Sequence, residues 1–462
     1  MKKYLSLITA AAVILSLTGC SNGEKLTSNG PPPSDILLGG EPGSSSVPSK
    51  PAESTVFEAT DIGGTGTVTN EAGGVRDEAL AEGFEMTADA AADGAIKGGA
   101  DIAAPGAIEP EVDGPCPVVP IEEPGSEVPP QAGLLTGGEW NDNEHWADWN
   151  ALYSSHEDWN SYKKTWENKT DYRLTVTVTA DGKPLEGAKV SCEGCGTAVT
   201  NNEGKAYLFS ENMPSTHVLA AYGDKSGEKL VDWVTGEKDL YLSFELDGAE
   251  QQTSKTLDLM IMCDTTGSMS DELEYLKVEL ENIVRKIKSD NANIPTNISV
   301  NFYRDDGDEY VVRQFPFTDD IEQAAEAIQE QSANGGGDFP EAVHTALESA
   351  ISGHEWSENS VKIMFLVLDA PPHDDPQIVD SVNKYIRLAA EKGIRIVPIA
   401  SSGIDKSTEY LLRTMAFTTG GTYTFLTDDS GVGGSHLEPT IGAYNVEKLS
   451  DMMVRIVNSY LK

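Results

Sequence analysis

Leu257-Asp258-Leu259-Met260-Ile261-Met262-Cys263 runs into Asp264-Thr265-Thr266-Gly267-Ser268-Met269, and this junction sets the reading of the second half of the chain. The first seven residues are apolar but for Asp258, the composition of a strand covered on both faces of a parallel sheet. Residues 271–288 follow, with Leu273, Leu276, Leu280, Ile283, Val284 and Ile287 on one side of a helical pattern. Outward from this pair the alternation continues. Strands are expected at 298–303, 363–368, 394–399 and 423–426, and helices at 321–330, 342–351, 377–391, 407–414 and 446–460. Residues 311–317 add a candidate antiparallel edge strand. Strand and helix in alternation predict a doubly wound, mostly parallel α/β sheet over 256–462.

In such folds ligands bind where strands end at their carboxyl edge. The first strand ends in Asp264, Thr266 and Ser268, oxygen donors at alternate positions of one turn. The second ends in Arg304-Asp305-Asp306. A flexible Gly335-Gly336-Gly337-Asp338-Phe339-Pro340-Glu341 precedes a helix that has proline at its first turn. A further strand ends in Asp369-Ala370-Pro371-Pro372-His373. An all-oxygen set without sulfur or a histidine pair suits a hard cation, Mg²⁺ or Mn²⁺, with Ca²⁺ as a further candidate. Asp264 alone would also serve as a helix cap, and Asp369 alone as a turn residue; their joint occurrence at strand ends favours a site.

Asp264-Thr265-Thr266-Gly267-Ser268 resembles the Asp-x-Ser/Thr-x-Ser metal-ion-dependent adhesion site of the von Willebrand factor type A family, and Asp369 resembles the Asp of that family's third metal loop. The resemblance covers 256–462. It implies a Rossmann-like fold, a divalent ion held by Asp264, Thr266, Ser268, Asp338 and Asp369, and a protein ligand that meets the ion through an acidic group. One departure stands out. The family's second loop supplies a threonine after its glycines, and here that position is Asp338. Direct ligation by three carboxylates would over-neutralise the ion and weaken capture of an acidic partner; ligation through water would preserve it.

Residues 170–247 read as all-β. Leu174, Val176 and Val178 alternate with Thr175, Thr177 and Thr179, and Asp181-Gly182 and Asn202-Glu203-Gly204 mark turns. Short strands at this spacing predict a small sandwich. The run from Asp181 to Val190, with Thr200 to Ala206 after it, resembles carboxypeptidase-regulatory-like modules, which are mostly spacers. Cys192 and Cys195 form a lone Cys-x-x-Cys there. No second pair completes a zinc site, so a local disulfide is expected. Cys116 and Cys263 are expected to be free. Between 134 and 169, Trp146, Trp149 and Tyr153 share a helical face, as do Trp159, Tyr162 and Trp166. Such stripes either present a platform to a glycan or partner, or pack the segment onto its neighbour; packing is the commoner outcome.

Residues 20–133 precede these domains. From 21 onward they hold 20 acids, 4 bases, 14 prolines and 18 glycines, the composition of a disordered tether that cannot bury enough apolar area to fold. At the start, Lys2 and Lys3, an apolar stretch from Leu5 to Leu17, and Leu17-Thr18-Gly19-Cys20 resemble a bacterial lipoprotein signal over 1–19. That resemblance implies acylation of Cys20 and anchoring on the extracytoplasmic face of a membrane. The whole chain of 462 residues carries a formal charge of −42, which opposes nucleic-acid binding and charge-driven attraction to anionic membranes.

No phosphate-binding loop, nucleophile elbow or zinc-protease helix is written in the chain; His354-Glu355-Trp356-Ser357-Glu358 lacks a second histidine. His373 reads more simply as a solvated loop residue than as a base. The expected protein is therefore a lipid-anchored surface protein, not an enzyme, whose type A head binds an extracellular or envelope protein for adhesion. A scaffold subunit of an envelope complex is the alternative reading, and a metal-dependent hydrolase using the three carboxylates a third.

Overall fold

The computed structural model describes residues 131–212, 214–233, 236–252 and 255–462. Cys20, Cys116 and the proposed signal and tether up to residue 130 lie outside them. The described part opens with β1 (Thr136–Trp140), α1 (Trp146–Ser155) and α2 (Trp159–Thr165). Eight short strands follow: β2 (Tyr172–Ala180), β3 (Lys183–Pro184), β4 (Lys189–Cys192), β5 (Gly196–Val199), β6 (Lys205–Ser210), β7 (Thr216–Tyr222), β8 (Lys225–Val231) and β9 (Asp239–Glu245). Then come β10 (Leu257–Asp264), α3 (Leu273–Asp290), β11 (Thr296–Tyr303), β12 (Val312–Arg313), α4 (Ile321–Gln329), α5 (Val343–Ser352) and β13 (Val361–Leu368). The chain ends with α6 (Pro376–Lys392), β14 (Ile394–Ala400), α7 (Lys406–Thr419), β15 (Tyr423–Leu426), β16 (Glu447–Lys448) and α8 (Leu449–Leu461).

The large sheet has the order β12-β11-β10-β13-β14-β15-β1-β16. β10 pairs parallel with β11 and β13, β13 with β14, and β14 with β15. β12 adds antiparallel to β11, as the edge-strand reading of 311–317 anticipated. Alternate residues of each strand feed opposite layers. Leu259, Ile261, Ile363 and Phe365 pack with α3, α4 and α8, whereas Met260, Met262, Met364 and Leu366 pack with α5, α6 and α7. Helix ends carry ordinary stops. Pro376 opens α6, and Gly393, at φ +69°, closes it in the left-handed conformation that a side chain disfavours.

The 134–169 segment is no connector. β1 is a full member of the sheet, antiparallel to both β15 and β16. Its glycines are there for close approach: a Cβ on Gly137 would lie 2.7 Å from the Phe425 carbonyl oxygen, and one on Gly138 2.5 Å from the Phe425 ring. The aromatic stripes bury themselves. Trp149 and Trp159 are 0% and 1% exposed and cluster with Tyr410 and Phe417 of α7. Asp142 reaches Arg413 of α7 with two contacts, of 2.6 and 2.9 Å, and the guanidinium lies over Trp149 at 4.9 Å.

β2–β9 form two four-stranded sheets. β2 pairs with β3, β6 and β9 in one; the other runs β5-β4-β7-β8. Leu174, Val176 and Phe244 of the first share one apolar cluster with Val190, Val218 and Ala220 of the second. Cys192 and Cys195 are joined across the β4–β5 turn, their Cα atoms 5.2 Å apart. Cys263 is a buried free thiol.

Candidate metal centre

The chain leaves β10 toward β11 on one side and leaves β13 toward β14 on the other. That reversal opens a crevice at the carboxyl ends of β10 and β13, the position where such sheets bind ligands. Asp264 is the last residue of β10 and is fully buried. Its Oδ1 accepts from the Thr266 backbone N–H at 2.8 Å and from Thr266 Oγ1 at 2.7 Å. Thr266 Oγ1 is in turn 3.1 Å from Ser268 Oγ. Asp369, also buried, stands just past the end of β13. Four of the five residues expected at the metal thus occupy one crevice. The fifth, Asp338, borders it: Ser268, Asp338 and Asp369 line a cavity of about 300 Å³ with the exposed ring of Phe339.

Backbone hydrogen bonds lock the loops together. Gly267 N–H donates to the Gly335 carbonyl at 3.2 Å, and Asn334 N–H to the Thr265 carbonyl at 3.1 Å. Arg304 Nε donates to the same Thr265 carbonyl. Glu341 N–H donates to the Pro371 carbonyl at 2.8 Å, tying the glycine loop to the Asp369 loop. Gly335 and Gly336 have φ of +81° and +71°, and a Cβ on Gly336 would meet the Glu341 carboxylate at 2.9 Å.

That contact exposes what the sequence reading missed. Glu341 is 2% exposed and lies beside Thr266 under Gly336, whereas Asp338 is exposed at the surface. The Asp338 carboxylate instead gathers with Asp305 and His373, whose ligand atoms all lie within 4.8 Å of one another. His373 Nε2 sits 3.3 Å from Asp305 Oδ1. The third buried carboxyl around Asp264 is therefore Glu341. Its signal was its place three residues after Asp338, at the start of a helix on the carboxyl edge of the sheet.

Among the described residues, Asp264 Oδ2, Asp369 Oδ1 and Glu341 Oε2 are buried without a hydrogen-bond partner. Three orphaned carboxylate oxygens around one crevice fit a divalent cation, which supplies the charge and the bonds they lack. Burial raises the pKa of all three. Glu341 is pushed up to about 9, first by burial and then by the charges of Asp264, Asp305 and Asp369. Asp264 is raised by burial, and Asp369 by burial and then by Asp264.

These shifts have a sign that can be measured. Without metal, the folded protein keeps protons that the unfolded chain has released above the ordinary carboxyl range. The folded state then binds more protons, so stability falls as pH rises from about 4 toward about 9. Each such proton costs about 1.4 kcal/mol per pH unit. Thermal unfolding in EDTA should show Tm falling between about pH 5 and about pH 9, a fall that Glu341→Gln reduces and a saturating divalent ion removes. A Tm in EDTA that is level or rising over that range, or a slope unchanged in Glu341→Gln, contradicts this electrostatic account.

Residues 258–436 match the family model of the von Willebrand factor A domain, and this part of the chain is such a domain. Two curated relatives are similar in sequence. One is an ariadne-like RING finger protein of Acanthamoeba polyphaga mimivirus, 33% identical over 130 residues, 28% of this chain and 12% of that protein. The other is the alpha-protein kinase vwkA of Dictyostelium discoideum, 26% identical over 123 residues, 26% of this chain and 20% of that protein. The chain thus spans a fifth or less of the length of these relatives. Among solved structures, a conserved hypothetical protein, BatB from Bacteroides thetaiotaomicron, aligns with a TM-score of 0.31 at 14% identity, over 44% of this chain and 98% of that one. Von Willebrand factor A domains mediate protein–protein interactions and often bind a divalent metal at their adhesion site.

Proposed function

We propose that this protein is a non-enzymatic binding protein whose von Willebrand factor A domain captures a protein ligand through a divalent ion held by Asp264, Thr266, Ser268 and Asp369, with Glu341 beside them. The observation that carries this reading is the set of three buried, unpartnered carboxylate oxygens at the switch point of the sheet. A bound ion would offer an acidic group of the partner a positive target. The exposed Phe339 at the rim would add an apolar contact of the kind that anchors interfaces. With Asp338 at the rim, beside His373, the ion retains room for an outside ligand. The test is binding to cell-surface extracts. Capture of a specific protein that EDTA abolishes, Mn²⁺ restores and Asp264→Ala eliminates is the expected result. Capture indifferent to EDTA and to Asp264→Ala would overturn it.

The rest of the chain supports a display role in this reading. Residues 170–247 are a carboxypeptidase-regulatory-like sandwich acting as a spacer, 20–133 a tether, and 1–19 a lipoprotein signal that leaves Cys20 acylated. The lipobox-like Leu17-Thr18-Gly19-Cys20 motivates the anchor. No helix among the described residues is long and apolar enough to cross a membrane. Cys20→Ser should release the protein from membranes; retention after high-salt and carbonate washing would refute the lipid anchor.

A further inference from the structure

At the opposite edge of the large sheet, the amino ends of β13 and β14 face the β2–β9 unit across a cavity of about 450 Å³. Its charges are unbalanced. Lys189 pairs with Glu391 at 3.0 Å and Lys255 with Glu186 at 3.0 Å, so those four cancel. Lys362, Lys392 and Arg395 remain against Glu358 alone. The Lys392 ammonium reaches only a carbonyl, that of Ile351 at 2.6 Å, and Lys362 only those of Glu358 and Ser360 at 3.2 and 3.3 Å.

Arg395 is the sharpest anomaly. It is 6% exposed and lines this cavity, yet among the described residues its guanidinium has no hydrogen-bond partner and no carboxylate in salt-bridge reach. Its guanidinium lies over the Tyr460 ring at 4.9 Å. A cation this far buried without a protein acceptor is uncommon. Lys362 stands on the adjacent strand opposite Ile394, so its side chain leaves the sheet on the other face from Arg395, and both line the cavity at the amino ends of the strands. Burial lowers the Lys362 ammonium from its usual range, against the opposing charge of Asp258, its register partner on β10, and the Arg395 charge lowers it further. Arg395 and Lys392 thus line a polar cavity with no carboxylate in salt-bridge reach, in a chain whose formal charge is −42.

We propose that this cavity binds a small oxyanion, a phosphate or sulfate group, either free or carried on a soluble sugar. The planar fork of Arg395 suits two oxygens of such a group, and Lys362 and Lys392 supply point charges beside it. The site is independent of the metal centre, which lies at the other edge of the sheet.

Calorimetric titration of the full chain in EDTA, at constant ionic strength, tests the proposal with three probes: inorganic phosphate, inorganic sulfate and glucose 6-phosphate. Saturable binding of at least one probe is expected. Arg395→Gln should weaken it about ten-fold or more, Lys362→Gln should weaken it less, and Asp264→Ala should leave it unchanged. Tighter binding of the sugar phosphate than of phosphate assigns a carried group; equal or weaker binding assigns the free ion. If Arg395→Gln does not fold, Lys362→Gln alone decides. No saturable binding of any probe, or binding unchanged in every folded variant of Arg395 and Lys362, would overturn the proposal.

Discussion

Asp142→Ala should destabilise the protein by about 3–5 kcal/mol, the cost of taking two charge-assisted bonds from a buried guanidinium. Asp142 belongs to the aromatic segment, and Arg413 to α7, 271 residues later. Arg413 is 1% exposed. Its guanidinium is held by Asp142 on one side and by Glu409 at 3.2 Å and the Thr440 carbonyl at 2.7 Å on the other. Asp142 Oδ1 also accepts from Trp140 Nε1 at 3.1 Å. Removing the carboxylate takes two charge-assisted bonds from a guanidinium that water cannot reach, beneath Trp149 and Trp159, and leaves Glu409 as its one carboxylate partner among the described residues. Denaturant unfolding measures the loss. A single-variant change under about 1 kcal/mol, the level of an exposed pair, would mean that the aromatic segment is not built into the head as described.

How far the sequence revealed this arrangement depends on what each element needs from its neighbours. The core strands were legible because burial on both faces leaves a nearly unbroken apolar run, as in Leu257–Asp264 and Val361–Leu368. The amphipathic α3 was legible from one apolar stripe. β1 was not. Its Gly137-Gly138 reads locally as a turn, and only the approach of Phe425 explains glycine there. The tryptophans announced burial, but not that α7 would receive them, since partner choice is a long-range property.

The metal loops divide in the same way. Asp264, Thr266 and Ser268 lie within one turn, so their convergence was readable from spacing. Asp369 was placed by the end of its strand. The choice between Asp338 and Glu341 was not readable, because both sit in one short loop and its path is set by positive φ at Gly335 and Gly336 and by the bond from Glu341 N–H to the Pro371 carbonyl. The unpaired Arg395 was equally hidden, since its lack of an acceptor exists only once two modules meet.

The claim that Asp264, Thr266, Ser268, Asp369 and Glu341 surround a metal ion is tested most directly by the melting of the full-length protein in Mg²⁺, Mn²⁺ or Ca²⁺ against EDTA. Ligands spread over several loops cannot converge in the unfolded chain, so the ion binds the folded state. At about a hundred times Kd it should add roughly 2.7 kcal/mol. With about 2–4 °C per kcal/mol, Tm should rise by about 5–10 °C in at least one of the three ions. Asp264→Ala should abolish the rise. A wild-type Tm that ignores all three ions at millimolar concentration, or a rise that persists in Asp264→Ala, would contradict the metal centre and the ligand capture built on it.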